Sequence, residues 1–75
     1  MINTREEFYK LGLDKTTGYS YSIVMYRMVR DLKLDPLTVY EKGKARPIVI
    51  YYMPEEEWKT VLAKIKHKYK EASHE

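Results

Sequence analysis

Between positions 19 and 33, apolar residues recur at 21, 24, 25, 28, 29 and 32, the spacing of one face of an α-helix. At about 100° per residue, Tyr21, Val24, Met25, Met28, Val29 and Leu32 gather on one side. Tyr19, Ile23, Tyr26, Arg27, Arg30 and Lys33 gather on the other, with Asp31 toward the flank and no carboxylate at the centre. The same period returns in Trp58, Val61, Leu62, Ile65, Tyr69 and Ala72, which predicts a final helix over about 54–71. Between these segments the pattern changes. Leu37–Glu41 and Ile48–Met53 are rich in β-branched and aromatic residues and read as strands. They are joined at Lys42–Pro47, where Gly43 permits a reversal, so the region 37–53 is predicted to be an antiparallel hairpin. Such a hairpin cannot stand alone in water, so one of its faces must lie on helices.

Ahead of the first long stripe, Thr4-Arg5-Glu6-Glu7 has capping-box spacing and predicts a short helix over about 5–11, closed by Gly12. Asp14–Gly18 reads as a polar turn, with cap candidates at Thr17, Ser20 and Ser22. Asp35-Pro36 ends the second helix, because proline disfavours the helical state in the residue before it. Pro54-Glu55-Glu56-Glu57 suits a helix start: proline fits the first helical position and the carboxylates fit the positive end of the dipole. That placement accounts for the glutamate run without any chemistry.

A chain of 75 residues holds a single core and so a single domain, here of the α+β class. It has no cysteine, which excludes a disulfide framework, a thiolate metal site and a thiol nucleophile. His67 and His74 are too few for a zinc site and have no nucleophile beside them. Gly12, Gly18 and Gly43 are isolated, so there is no phosphate loop. The expectation is a non-enzymatic protein without cofactor. With no apolar run of membrane-spanning length and no secretory leader at Met1–Glu7, a soluble, cytoplasmic protein is expected.

The net charge is +3, and its location matters more than its size. Acidic and basic residues balance within 1–41 and again within 55–75, so the excess falls on Lys42, Lys44 and Arg46 at the hairpin tip. Such a tip either seeks anions or is a solvated turn that guards a strand edge.

The line-up of Thr4-x-x-Glu7-Phe8, Gly12-Leu13, the Arg27/Arg30 helix, the Gly43 hairpin and Pro54-Glu55-Glu56-Glu57-Trp58 resembles the excisionase and MerR-type winged helix-turn-helix group. The resemblance spans residues 4 to about 65. It implies a small winged helix-turn-helix that reads duplex DNA, acting as a transcription regulator or as an architectural factor in phage-type DNA recombination. The second helix is longer than that group's recognition helix, and Lys44-Ala45-Arg46-Pro47 stands where the group often has arginine directly after glycine.

On this resemblance the helix enters the major groove with Arg27 and Arg30, and Tyr19, Ser20, Ser22, Ile23, Tyr26 and Lys33 complete the face. Lys42, Lys44 and Arg46 reach phosphates or the adjacent minor groove. A module of this size covers a short site, so useful affinity calls for a homodimer or cooperative neighbours. Two other readings stand beside it. Eight tyrosines suit a protein-interaction surface, as in a phage-type inhibitor or adaptor. Exposed rings at Tyr40, Tyr51 and Tyr52 would suit RNA.

Overall fold

A computed structural model describes residues 1–69 of the chain. Strand β1 (Ile2–Asn3) runs directly into helix α1 (Thr4–Lys10). Helices α2 (Leu13–Thr17) and α3 (Tyr21–Leu32) come next. Strands β2 (Leu37–Lys42) and β3 (Pro47–Met53) and helix α4 (Glu55–Lys68) complete the described chain. The sheet is antiparallel with order β1-β3-β2. Among the described residues, four helices and a three-stranded antiparallel sheet make this a small α+β fold, consistent with a winged-helix-like arrangement.

The hairpin register pairs Leu37 with Tyr52 and Lys42 with Pro47, leaving residues 43–46 as the tip. Pro47 opens β3, where the missing donor does least harm. Alternation sends Val49, Tyr51 and Met53 to one face of β3 and Ile48, Ile50 and Tyr52 to the other. The first face meets the core: Met53 is fully buried, and half-buried Tyr51 borders the cluster. That cluster joins Phe8, Leu13, Tyr21, Val24, Met25, Met28, Met53, Trp58, Val61, Ile65 and Tyr69. The helical stripes expected from periodicity are therefore core, with Val29, Leu32 and Leu62 only partly covered.

Several local expectations are corrected. The capping box does not form. Asn3, not Thr4, caps α1 by accepting the Glu6 amide at 3.0 Å. Thr4 turns inward and is fully buried, its hydroxyl donating to the Tyr51 carbonyl at 2.7 Å. Gly12 is left-handed (φ 68°) as expected, but it follows the cap residue Leu11 and opens the next helix. The segment read as a polar turn contains α2, because Leu13 and Thr17 both face inward and the Thr17 hydroxyl donates to the Leu13 carbonyl at 2.8 Å.

The helix expected over 19–33 is Tyr21–Leu32. Gly18 is left-handed (φ 78°), the Tyr19 amide donates to the Thr17 hydroxyl and Ser20 is extended, so helical geometry starts only at Tyr21. At the other end Lys33 turns left-handed (φ 54°) and its amide donates to the Arg30 carbonyl. Pro54 sits one place earlier than expected, as the extended cap of α4. Residues 70 and 71 of the expected last helix lie outside the described residues, as do Ala72 and the tail with His74.

Candidate nucleic-acid interface

The start of α3 is fixed by a buried polar knot. The Thr4 proton goes to the Tyr51 carbonyl, so at the 2.6 Å contact the Tyr21 phenol donates to Thr4. The same phenol oxygen accepts the Tyr51 amide at 2.9 Å. Burial holds the Tyr21 hydroxyl above the usual tyrosine range, against the opposing pull of its Thr4 and Tyr51 hydrogen bonds. On the other side the Tyr21 amide donates to the Tyr9 phenol at 3.3 Å. These bonds tie together the beginnings of α1 and α3 and the middle of β3.

Outward from this knot, the face of α3 opposite the core carries Ile23 (43% exposed) and Tyr26 (61% exposed), with Tyr19 just before the helix. The cations of this face differ in how they are held. Arg27 is half-buried; its guanidinium lies 4.7 Å from the centre of the Tyr19 ring and donates to the Tyr69 phenol at 3.2 Å. The Tyr69 and Tyr19 hydroxyls raise its already high pKa further. Arg30 donates to Asp31 at 3.0 Å and lies 5.7 Å from the Tyr26 ring centre. Lys68 reaches the other Asp31 oxygen at 3.2 Å. Hydrogen bonds from Arg30 first, then Lys68, hold the Asp31 carboxyl below its usual range. Asp31 thus lies on the flank facing α4. Lys33 is exposed and has no carboxylate partner among the described residues.

The sheet borders the other flank of α3. Tyr26 and Tyr40 lie close enough to Tyr51 to raise its pKa further, burial being the larger cause. Tyr40 is 74% exposed, whereas Tyr51 and Tyr52 are half-buried. Lys42, Lys44 and Arg46 are all exposed. The hairpin does not extend away from the helix: Arg46, Pro47, Ile48 and Val49 line one cleft together with Ser20 and Ser22. The base of the wing and the N-terminal end of α3 are therefore continuous surface.

Arg5, Tyr9 and Tyr21 complete that cleft, and neither Arg5 nor Tyr9 was singled out from sequence as a site residue. Arg5 lies 5.2 Å from the centre of the Tyr9 ring. The nearest sequence signal is the Thr4–Glu7 spacing, which points to helix capping and gives no indication of a contact with residues 46–49.

Among the described residues no group of three or more histidine or acidic side chains is placed to hold a metal ion. No helix there is long and apolar enough to cross a membrane. Compared with known proteins, the chain matches no family model, no curated protein and no solved structure.

Proposed function

We propose that this protein binds duplex DNA, presenting the outer face of α3 and the hairpin tip as one surface. The observation that carries the reading is the shared cleft, which sets Arg46 beside Ser20 and Ser22. It makes the start of the helix and Arg46, at the base of the tip, neighbours rather than separate patches. Lys42, Lys44 and Arg46 would contact phosphates, and Arg30 and Lys33 would add to the same field. Ile23, Tyr26, Ser22 and Tyr19 would meet base edges and sugars in the groove. Arg27 has a different part from the one expected of it: held between Tyr19 and Tyr69, it orients the Tyr19 ring and supplies charge from a fixed position. The resemblance to the excisionase and MerR-type winged-helix group supports the reading through the order of helices and hairpin. A regulator or an architectural recombination factor would each use such a surface.

Fluorescence anisotropy with a random-sequence duplex at two salt concentrations tests the proposal. Saturable binding that weakens steeply with salt is expected. Absence of binding at low salt would overturn it.

One observation favours a second reading. Tyr19, Ile23, Tyr26 and Tyr40 expose large apolar area around α3, as a protein-binding surface would. A stoichiometric protein partner recovered after nuclease treatment, with no affinity for duplex, would select it.

A further inference from the structure

The cleft between α1, the start of α3 and the start of β3 includes residues beyond the outer face of α3 and the hairpin tip. Arg5, Arg46, Tyr9, Ser20, Tyr21 and Ser22 line it together with the apolar Pro47, Ile48 and Val49. No carboxylate lines it. Neither arginine has a carboxylate within salt-bridge distance among the described residues. The fold thus brings two cations to one cleft from positions 41 residues apart, and an anion between them would interact favourably with both.

The Tyr9 hydroxyl and one of the two serine hydroxyls are available as donors. The Ser20 side chain does not cap α3, and its hydrogen-bonding neighbour is the Ser22 hydroxyl at 3.4 Å. Tyr9 accepts the Tyr21 amide, which leaves its own proton free. The Tyr9 ring also backs Arg5, with the guanidinium 5.2 Å from its centre, and so limits the orientations of that group. A concave site lined by two arginines and by Tyr9, Ser20 and Ser22, with no acid, matches a compact anion bearing several oxygens.

We propose that this cleft seats a phosphate group, clamped between Arg5 and Arg46 and hydrogen-bonded by Ser20, Ser22 and Tyr9. Resting on the DNA-binding reading, the group is a backbone phosphate of the bound duplex, beside the groove that α3 enters. A free phosphate or a phosphomonoester offers the same oxygens, and the experiment separates these sources.

The test has two arms on the intact chain. In the first, inorganic phosphate is titrated against the ¹⁵N-labelled protein, reading backbone amides and arginine Nε–H signals. Saturable shifts confined to Arg5, Tyr9, Ser20–Ile23 and Arg46 are expected, and they disappear in Arg5→Gln and in Arg46→Gln. In the second, duplex affinity is followed against salt for the parent, Arg5→Gln and Lys66→Gln, an exposed charge on α4 that serves as the charge control. Arg5→Gln is expected to lower the log–log slope by about 0.9, with the Lys66→Gln slope equal to the parent's.

Phosphate shifts without duplex binding would uphold the cleft, identify a free phosphate group as its ligand and refute DNA binding. Duplex binding with an unchanged Arg5→Gln slope and no localised phosphate shifts would refute the cleft and leave DNA binding standing. Amide spectra of each variant that match the parent away from the substitution show that the fold is kept.

Discussion

The Thr4 hydroxyl stands 2.6 Å from the Tyr21 phenol oxygen, and both residues are buried. Neither group has water to fall back on, so each depends on the other and on the backbone of Tyr51. The pair joins the first turn of α1, the first turn of α3 and the central strand, which are the elements that build the cleft. Tyr21→Phe leaves the Tyr51 amide without its acceptor and Thr4 without a donor; Thr4→Val removes both bonds of the threonine. Each is expected to cost about 1–3 kcal/mol in urea unfolding, whereas Thr4→Ser, which keeps the hydroxyl, costs less. A neutral Tyr21→Phe would contradict this role.

Asp31 gives the fold an acid-side dependence. Its carboxyl is held below the ordinary value by Arg30 and then Lys68, so the folded state binds that proton less readily than the unfolded chain. The contribution to stability is present above the unfolded pKa and is lost as pH falls through the lower folded value. Thermal unfolding from pH 6 to pH 2 is expected to show a steeper loss in the parent than in Asp31→Asn. Equal slopes would contradict the pairing.

Lys33 combines a strained backbone with a useful charge. It is the sole non-glycine residue at positive φ among the described residues, at 54°, where a Cβ is disfavoured and glycine is the usual choice. Lys33→Gly is expected to stabilise the fold by about 0.5–1 kcal/mol while weakening duplex binding. A variant both less stable and equally tight would contradict both halves of the statement.

Gly43 fixes the shape of the wing. A Cβ there would strike the Arg46 carbonyl oxygen and approach the Ile48 Cγ1 to 3.0 Å. The carbonyl is backbone and cannot swing aside, so Gly43→Ala must open the tip that carries Lys42, Lys44 and Arg46. The expected effect is a loss of about 1 kcal/mol in stability and weaker duplex binding, with amide shifts confined to residues 41–49. A parent-like spectrum would contradict it.

The regular elements were readable because each carries a repeated signal. Six positions at helical spacing define the buried side of α3, and the runs of β-branched and aromatic residues define β2 and β3. What was not readable is short or depends on contacts distant in sequence. Strand β1 is two residues long, too brief for any period. Thr-x-x-Glu spacing at position 4 fits a cap equally well whether or not the threonine faces the core, and Asn3, adjacent to it, takes the capping role. In α2, only Leu13 and Thr17 face inward, so the segment has no stripe to reveal it.

The candidate surface shows the same division. The outward placement of Ile23, Tyr26, Arg30 and the hairpin cations follows from periodicity and from the tip. The hold of Tyr69 on Arg27 spans 42 residues, and the placement of Arg5 and Arg46 along one cleft depends on how α1 and β3 are joined through the Thr4–Tyr21 knot. Periodicity describes one element at a time and is silent on both.

The most direct test of the continuous α3–wing surface is a duplex DNA titration of the ¹⁵N-labelled protein, mapped residue by residue. The expected footprint covers Tyr19–Lys33 on the outer side of α3 together with Lys42–Arg46, saturating at one midpoint and fading as salt is raised. A footprint on the far side of the sheet, at Leu37 and Val39, or separate midpoints for helix and wing, would contradict it.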